Sequence, residues 1–227
     1  MTLPTLSLAE TRVLGVLVEK ERTVPDIYPL SLNALTAGCN QKNNREPLLS
    51  LTEGEVQAAL DRLRPFSLVI ESSGSRVMRY SENVQRVLKV PTEAVALLAT
   101  LWLRGPQTAA ELRSASERLH RFADVSSVEG YLEELATRPA EQGGPLVMLM
   151  ARRPGSREPR WAHLLSGTPA EDAAPAAVPA AANGGSDLAE LRDEVRRLSD
   201  EVATLKDQVQ RLVAARDSGR PERSDHD

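Results

Sequence analysis

The sequence has very little cysteine and few aromatic side chains. Its 227 residues include one cysteine, Cys39, and seven aromatic residues. One cysteine excludes a disulfide within the chain and fits a reducing compartment. So few aromatic residues leave little surface on which unpaired bases could stack, which makes single-stranded nucleic acid a poor candidate ligand.

Long apolar segments and export signals are also missing. No stretch of about 20 apolar residues could span a bilayer. The N-terminal sequence MTLPTLSLAETR lacks the basic and apolar regions of a secretory signal. We therefore expect a cytoplasmic protein with no membrane contact.

Sequence motifs of enzymes are absent as well. There is no Walker loop, HExxH motif or nucleophile elbow, and the three histidines are far apart. Cys39 lies in the apolar segment LNALTAGC, where it is expected to pack as a small hydrophobe. A surface charge pair explains Glu117, His120 and Asp124 better than a metal site. We predict a protein that is not an enzyme and has no cofactor or metal.

One pattern occurs twice in the chain: two helical stretches, a capped third helix, and two short apolar runs joined by a glycine turn. The apolar stripe of the third helix has the same spacing in both copies. Its residues are Val56, Leu60 and Leu63 in the first copy, and Val128, Leu132 and Leu135 in the second. Three helices followed by a hairpin are typical of a winged helix-turn-helix domain.

The predicted fold is mainly α-helical with small β-hairpins (α+β): tandem winged helix-turn-helix domains and a C-terminal coiled-coil helix. The predicted helices are 8–21, 31–41, 52–64, 91–103, 108–120 and 126–138, and the predicted strands are 67–72, 76–81, 145–151 and 159–165. Because Pro25 and Pro29 disfavour a helix, residues 23–30 are predicted to be an extended connection. The predicted parts are 1–81 and 91–165 (winged-helix domains), 82–90 (connector), 166–186 (Ala/Pro-rich linker), 187–216 (coiled-coil helix) and 217–227 (disordered tail).

Capping signals mark four helix starts by the reciprocal S/T-x-x-E pattern. They are Ser7 with Glu10, Thr52 with Glu55, Thr108 with Glu111, and Ser126 with Glu129. At the last start, Asp124 is an equally good N-cap.

Four heptads without a break predict a parallel, two-stranded coiled coil near the C-terminus. The a and d positions are Leu188, Leu191, Val195, Leu198, Val202, Leu205, Val209 and Leu212. Pairing across the coil would match Asp187 with Arg192 and Glu201 with Lys206. The alternative is a single amphipathic helix that folds back on the body.

Charge is distributed unevenly along the chain, whose net charge is -4. Residues 1–165 contain 20 Lys and Arg against 19 Asp and Glu, whereas residues 166–227 contain 8 against 13. A nearly neutral body weakens the case for DNA binding, since phosphate neutralisation supplies most nonspecific affinity. Both third helices carry net negative charge, which argues against inserting either into a DNA groove.

Basic and amide side chains collect at two other places. The segment CNQKNNRE (39–46) could hold phosphates or pair with adenine, or its amides could cap the second helix and fix the turn. The second hairpin is rich in arginine, which suits either a DNA backbone or a solvated sheet edge. The candidate contact residues are Asn40, Gln41, Lys42, Arg45, Arg152, Arg153, Arg157 and Arg160.

Four segments of the chain carry a resemblance to a known family: residues 23–63, 74–80, 103–124 and 160–165. In these segments, and over roughly 6–165 as a whole, the chain resembles the uncharacterised YceH family of bacterial proteins. The resemblance implies a tandem winged-helix fold and a bacterial cytosolic protein, without a known ligand or catalytic residue. Asn43, Asn44, Leu48 and Leu49 depart from the family pattern.

Together these features predict a DNA-associated regulator that forms a homodimer through its coiled coil. Lys42, Arg45 and the arginines of the second hairpin would contact phosphates of double-stranded DNA. The alternative is an adaptor whose acidic third helices, or whose surface from Tyr28 to Arg45, bind another protein.

Overall fold

The structure is a computed structural model that describes residues 4–73, 77–152 and 158–169. All of these belong to one compact unit, Met1–Pro175. The predicted coiled coil, the tail and most of the linker lie outside the described residues. The predicted domain boundaries stay a prediction.

The first half of the unit contains three main helices and a three-stranded antiparallel sheet. The helices are α1 (Leu8–Thr23), α2 (Leu32–Cys39) and α3 (Glu53–Leu63). The strands are β1 (Leu30–Ser31), β2 (Val69–Ser72) and β3 (Arg79–Glu82), in the order β1-β3-β2.

The second half repeats this order after a short helix. Its elements are α4 (Val84–Leu88), α5 (Thr92–Arg104), α6 (Ala109–Ala115), α7 (Val125–Ala136), β4 (Val147–Leu149) and β5 (Trp161–His163). Strand β1 precedes α2 and pairs with β3, and Gln107 likewise precedes α6 and bridges to Trp161 in β5. Helices with small antiparallel sheets confirm the predicted α+β class.

Local signals placed the helix starts correctly. Ser7, Thr52 and Thr108 form full capping boxes with Glu10, Glu55 and Glu111. At α7 the N-cap is Asp124, whose carboxylate accepts a hydrogen bond from the Ser127 amide at 2.7 Å. Of the two caps considered for that helix, the aspartate is therefore the one used.

The prediction of an extended connection at residues 23–30 was partly wrong. Pro25–Ile27 form one 3₁₀ turn, because proline is well tolerated in the first turn of a helix. Strand β1 then begins at Leu30 and pairs with β3. The predicted 82–90 connector likewise contains α4.

Four elements, α2, α6 and both strands of the second hairpin, are shorter than predicted. Helix α2 ends at Cys39, and α6 ends at Ala115, where the Ser116 hydroxyl donates to the Leu112 carbonyl at 2.7 Å. The strands of the second hairpin extend over only three residues each. Element ends are weakly encoded because polar side chains compete locally with the backbone.

Helix α1 lies at the centre of the unit. Its residues Glu10–Val18 are all buried, and it packs against α2, α3, β3 and α5. A Cβ atom on Gly15 would lie 2.8 Å from Leu103 Cγ, and one on Gly38 would lie 2.6 Å from Val16 Cγ1. The two glycines thus permit the close approach of α5 and α2 to α1. No helix in the described part is long and apolar enough to cross a membrane.

Candidate functional site

The loop that joins α2 to α3, residues 40–51, contains the predicted amide and basic cluster. The Asn40 side chain closes this α2–α3 loop, since it donates to the Leu51 carbonyl and accepts from the Leu51 amide, both at 2.7 Å. Its amide group is therefore used inside the fold. This is the structural role that the sequence left open for these amides.

Arg45 is buried, which conflicts with its prediction as a phosphate contact. Its side chain has no exposed surface and forms an ion pair with Glu19 of α1. Its Nε donates to the Gly38 carbonyl at 3.0 Å, and its Nη2 donates to Gln41 Oε1 at 2.9 Å. The guanidinium therefore holds the loop against α1 and α2, and a ligand at the surface would not reach it.

A second buried arginine anchors the other end of the loop. Arg12 in α1 donates to the Cys39 carbonyl at 3.1 Å and to the Pro47 carbonyl at 2.7 Å. The Glu46 amide donates to the Leu103 carbonyl at 2.7 Å, which attaches the loop to the end of α5. The buried side of the loop is thus attached to α1, α2 and α5.

The remaining polar residues of the loop are exposed. Gln41, Lys42, Asn43 and Asn44 all lie at the surface. Neither Lys42 nor Asn43 forms a hydrogen bond or ion pair with any other described residue. The buried side of the loop is held rigidly, whereas Lys42 and Asn43 on its exposed side form no such bonds to other described residues. A surface of this kind could bind a ligand.

Arg104, at the end of α5, connects this loop to the second half of the unit. Its Nη2 donates to Asn44 Oδ1 at 2.6 Å. Asn44, Arg104 and Arg118 line the same small cavity of about 40 Å³. Arg118 follows α6 in the turn to α7, the counterpart of the α2–α3 loop, so the two equivalent turns meet at Arg104.

Arg104 also reaches the second hairpin. A shallow groove of about 400 Å³ is lined by Arg104, Gln107, Ser114 and Arg160. Arg160 donates to the Pro106 carbonyl at 2.9 Å and to Glu111 Oε1 at 3.2 Å, so part of its charge is neutralised. The α2–α3 loop and the base of the second hairpin therefore both adjoin Arg104.

The other arginines predicted at the hairpin are less well placed by the structure. Arg152 is exposed and follows β4 by three residues. Arg153 and Arg157 lie outside the described residues. Of the described hairpin arginines, Arg160 is the one that lines a groove together with Arg104.

Arg104 and Arg118 were missed by sequence reasoning. Arg104 and Arg118 lie 60 and 74 residues after Asn44, with which they line one cavity, so no local pattern marks them. Burial lowers the pKa of Arg104, the Glu19 carboxylate opposes that shift and Arg45 adds to it. A guanidinium keeps its charge at neutral pH despite such a shift.

The exposed faces of the third helices are acidic. Glu53, Glu55 and Asp61 are exposed on α3, as are Glu129, Glu133 and Glu134 on α7. On α3, Arg62 is drawn into an ion pair with the buried Glu10, with 2.7 Å between Nε and Oε1. Neither helix offers a cluster of cations to a phosphate backbone.

The residues considered for catalysis or metal binding occupy ordinary structural positions. Cys39 is buried, and burial raises the pKa of its thiol to about 12, so the thiol stays protonated at neutral pH. No group of His, Cys, Asp and Glu within residues 4–73, 77–152 and 158–169 could hold a metal ion. His120 packs edge-on against Phe122, with 4.7 Å between ring centroids.

We predict that Arg45→Ala destabilises the protein by about 3 kcal/mol, because it leaves the Glu19 carboxylate without its buried partner. Urea unfolding followed by circular dichroism measures the change. The matched control is Lys42→Ala in the same loop, which should change the free energy of unfolding by less than about 0.5 kcal/mol. Equal stability of both variants would contradict the buried role of Arg45.

Residues 6–156 match the protein family described as "Protein of unknown function, DUF480". A UPF0502 protein of Leptothrix cholodnii is 58% identical over 214 residues, covering 92% of this chain and 94% of the relative. Another from Acidovorax sp. is 54% identical over 207 residues, with 91% and 92% covered, and one from Dechloromonas aromatica is 57% identical over 195 residues, with 86% and 90% covered. The matched region includes every element from α1 to β4. The family resemblance seen in the sequence is confirmed, and the chain belongs to the DUF480 family of bacterial UPF0502 (YceH) proteins.

Proposed function

We propose that this chain is a tandem winged-helix protein that binds double-stranded DNA as a homodimer. Its contact surface is the arginine-linked surface, defined as Lys42, Asn43, Arg104, Arg118 and Arg160. In this proposal the third helices do not enter a groove. The surface binds the phosphate backbone instead, through the two turns that precede those helices and the base of the second hairpin.

The winged-helix assignment is supported by the repeated order of elements. In each half, three helices are followed by an antiparallel hairpin, and a residue or short strand before the second helix pairs with that hairpin. A third strand at this position is typical of winged-helix domains. Two copies of one topology in one compact unit favour a tandem arrangement.

The observation that carries the DNA proposal is the position of Arg104. Its Nη2 donates a hydrogen bond to Asn44 Oδ1 at 2.6 Å. Arg104 also lines one cavity together with Arg118 and one groove together with Arg160. Arginines of the second half therefore adjoin the α2–α3 loop of the first half, in which Lys42 lies two residues before Asn44. A row of guanidinium and ammonium groups is what phosphate neutralisation requires.

Nearby carboxylates limit the strength of this surface. Glu111 pairs with Arg160, Glu117 pairs with Arg121 at 3.7 Å, and Glu46 is exposed in the α2–α3 loop. The net positive charge of the surface is therefore modest. We expect binding that is measurable at low salt and weak at physiological salt.

The first test is a salt titration with a mixed-sequence duplex of about 30 base pairs. Fluorescence anisotropy should show that log K falls linearly with log salt. In Lys42→Ala/Arg118→Ala, the loss of two phosphate contacts should make that slope shallower by about 2. Arg86→Ala is the matched control, since Arg86 is an exposed cation of α4 outside this surface, and it should keep the parent slope.

Two results would overturn the DNA proposal. One is the absence of binding at about 20 mM salt, where phosphate contacts are least screened. The other is an equal loss of slope in the Arg86→Ala control. Because Lys42 is exposed and without a bonding partner among the described residues, misfolding would not explain a change in Lys42→Ala alone.

Dimerisation is proposed to come from the heptad segment, residues 187–216. We predict that the full chain sediments as a dimer and that a chain ending at Leu165 sediments as a monomer. Sedimentation equilibrium distinguishes the two masses. A dimer of the shortened chain would show that the heptads are not the assembly element.

An adaptor function is favoured by one separate observation, the exposed carboxylates on α3 and α7. Two acidic helix faces would suit a basic protein partner. Nuclease-resistant recovery of one stoichiometric protein, lost on Glu129→Lys/Glu133→Lys, would support this alternative. Recovery that both charge reversals leave unchanged would count against it.

A further inference from the structure

A groove of about 410 Å³ lies on the described unit where α4, the segment after α7 and the second hairpin come together. Its apolar lining comes from both halves of the unit. The lining includes Phe66, Val87, Leu88, Leu146, Leu164 and Leu165. Its volume and its mixture of apolar walls with a few polar groups match those of small-molecule sites.

Arg138 supplies a buried positive charge to this groove. The residue is about nine-tenths buried, with 9% of its surface exposed. Its Nη2 donates to the Leu88 carbonyl at 2.7 Å and to the Gln142 carbonyl at 2.6 Å. Within the described residues its Nε and Nη1 have no hydrogen-bond partner and its charge has no carboxylate partner.

This arginine differs from the other two buried arginines. Arg45 is neutralised by Glu19. Arg12 has no ion-pair partner among the described residues, but its unpartnered Nε is fully buried and Arg12 lines none of the grooves described above. Burial lowers the pKa of Arg138, and no neighbouring carboxylate offsets it. The nitrogens of Arg138 that have no partner are not fully buried, so a bound anion can accept a hydrogen bond there.

Lys89 adds a second cation to the same place. It lies at the C-terminal end of α4 and, like Arg138, lines both this groove and a neighbouring one of about 300 Å³. Among the described residues that line the larger groove, Glu141 carries the only negative charge, and it is exposed to solvent. The groove thus combines apolar walls with net positive charge.

We propose that this groove binds a small organic carboxylate with an apolar body. The carboxylate accepts a hydrogen bond from Nη1 of Arg138 and is attracted by Lys89, and the apolar body packs against Phe66, Leu146 and Leu165. A hydrogen bond from a guanidinium to a carboxylate is charge-assisted and about twice as strong as one between neutral groups. The site is separate from the arginine-linked surface and does not depend on DNA binding.

A carboxylate of the chain itself is the competing source of negative charge. Glu171 and Asp172 follow Pro169, the last described residue, by two and three positions. The described chain also passes the groove at Leu164 and Leu165. The experiment must therefore separate a diffusible acid from these two side chains.

The test is calorimetric titration of the full chain with sodium benzoate, and with benzamide as the neutral ligand of the same shape. We expect the Kd of benzoate to be lower than that of benzamide by at least about tenfold, the effect of one charge-assisted hydrogen bond. Sodium hexanoate and hexanamide repeat the comparison with an aliphatic body. The buffer should contain no carboxylate.

Variants connect the affinity to the groove. Lys89→Asn should raise the Kd of benzoate about threefold; asparagine is chosen because residue 89 has a positive φ of 54° that asparagine tolerates. Arg138→Gln should raise it by at least about tenfold. Arg86→Gln, on α4 but outside the lining, should leave the Kd unchanged. If Arg138→Gln fails to fold, the comparison of Lys89→Asn with Arg86→Gln still shows whether benzoate binds in this groove.

Three outcomes overturn the proposal. One is that benzoate and hexanoate bind no more tightly than their amides, or do not bind. Another is that Lys89→Asn changes the Kd no more than Arg86→Gln does. The third is that the acids bind only after Glu171→Gln/Asp172→Asn, which would assign the groove to the chain's own carboxylates.

Discussion

Helix α1 is buried along nine consecutive residues, Glu10–Val18, and packs on α2, α3, β3 and α5. Because α1 contacts both halves of the duplicated pattern, the two halves are not independent of each other as separate domains would be. Its close contacts depend on Gly15 towards α5 and on Gly38 of α2. The two copies therefore form one core, and surface residues from both copies keep fixed positions relative to one another.

Two arginines extend this constraint from the core to the surface. Arg12 and Arg45 hold the α2–α3 loop from beneath through carbonyl groups and Glu19. Because these buried groups fix the backbone, Lys42 and Asn43 are presented on a loop that does not need to be ordered by a ligand. Ordering a flexible loop costs free energy on binding, so a pre-fixed loop favours affinity. The same framework brings Asn44 to Arg104.

Much of the fold could be predicted from local sequence signals, and little of the candidate site could. Capping boxes and apolar stripes depend on residues three or four apart, so Ser7, Thr52 and Thr108 located their helices correctly. The burial of Arg45 could not be seen, because an arginine in a polar segment resembles a surface residue until its partner Glu19 is known. The roles proposed for Arg104, Arg118 and Arg138 depend on neighbours from distant parts of the chain. The exposed acidic faces of α3 and α7, in contrast, follow directly from helical spacing and were foreseen.

The DNA-binding proposal requires that the two turns and the second hairpin act as one contact surface while the third helices remain outside it. A titration of the ¹⁵N-labelled chain with a short mixed duplex at low salt, followed by amide chemical shifts, tests this requirement directly. We expect the amides of Lys42, Asn43, Arg104, Arg118 and Arg160 to shift together along one binding curve. Dominant shifts in α3 or α7, with these five amides unchanged, would contradict it.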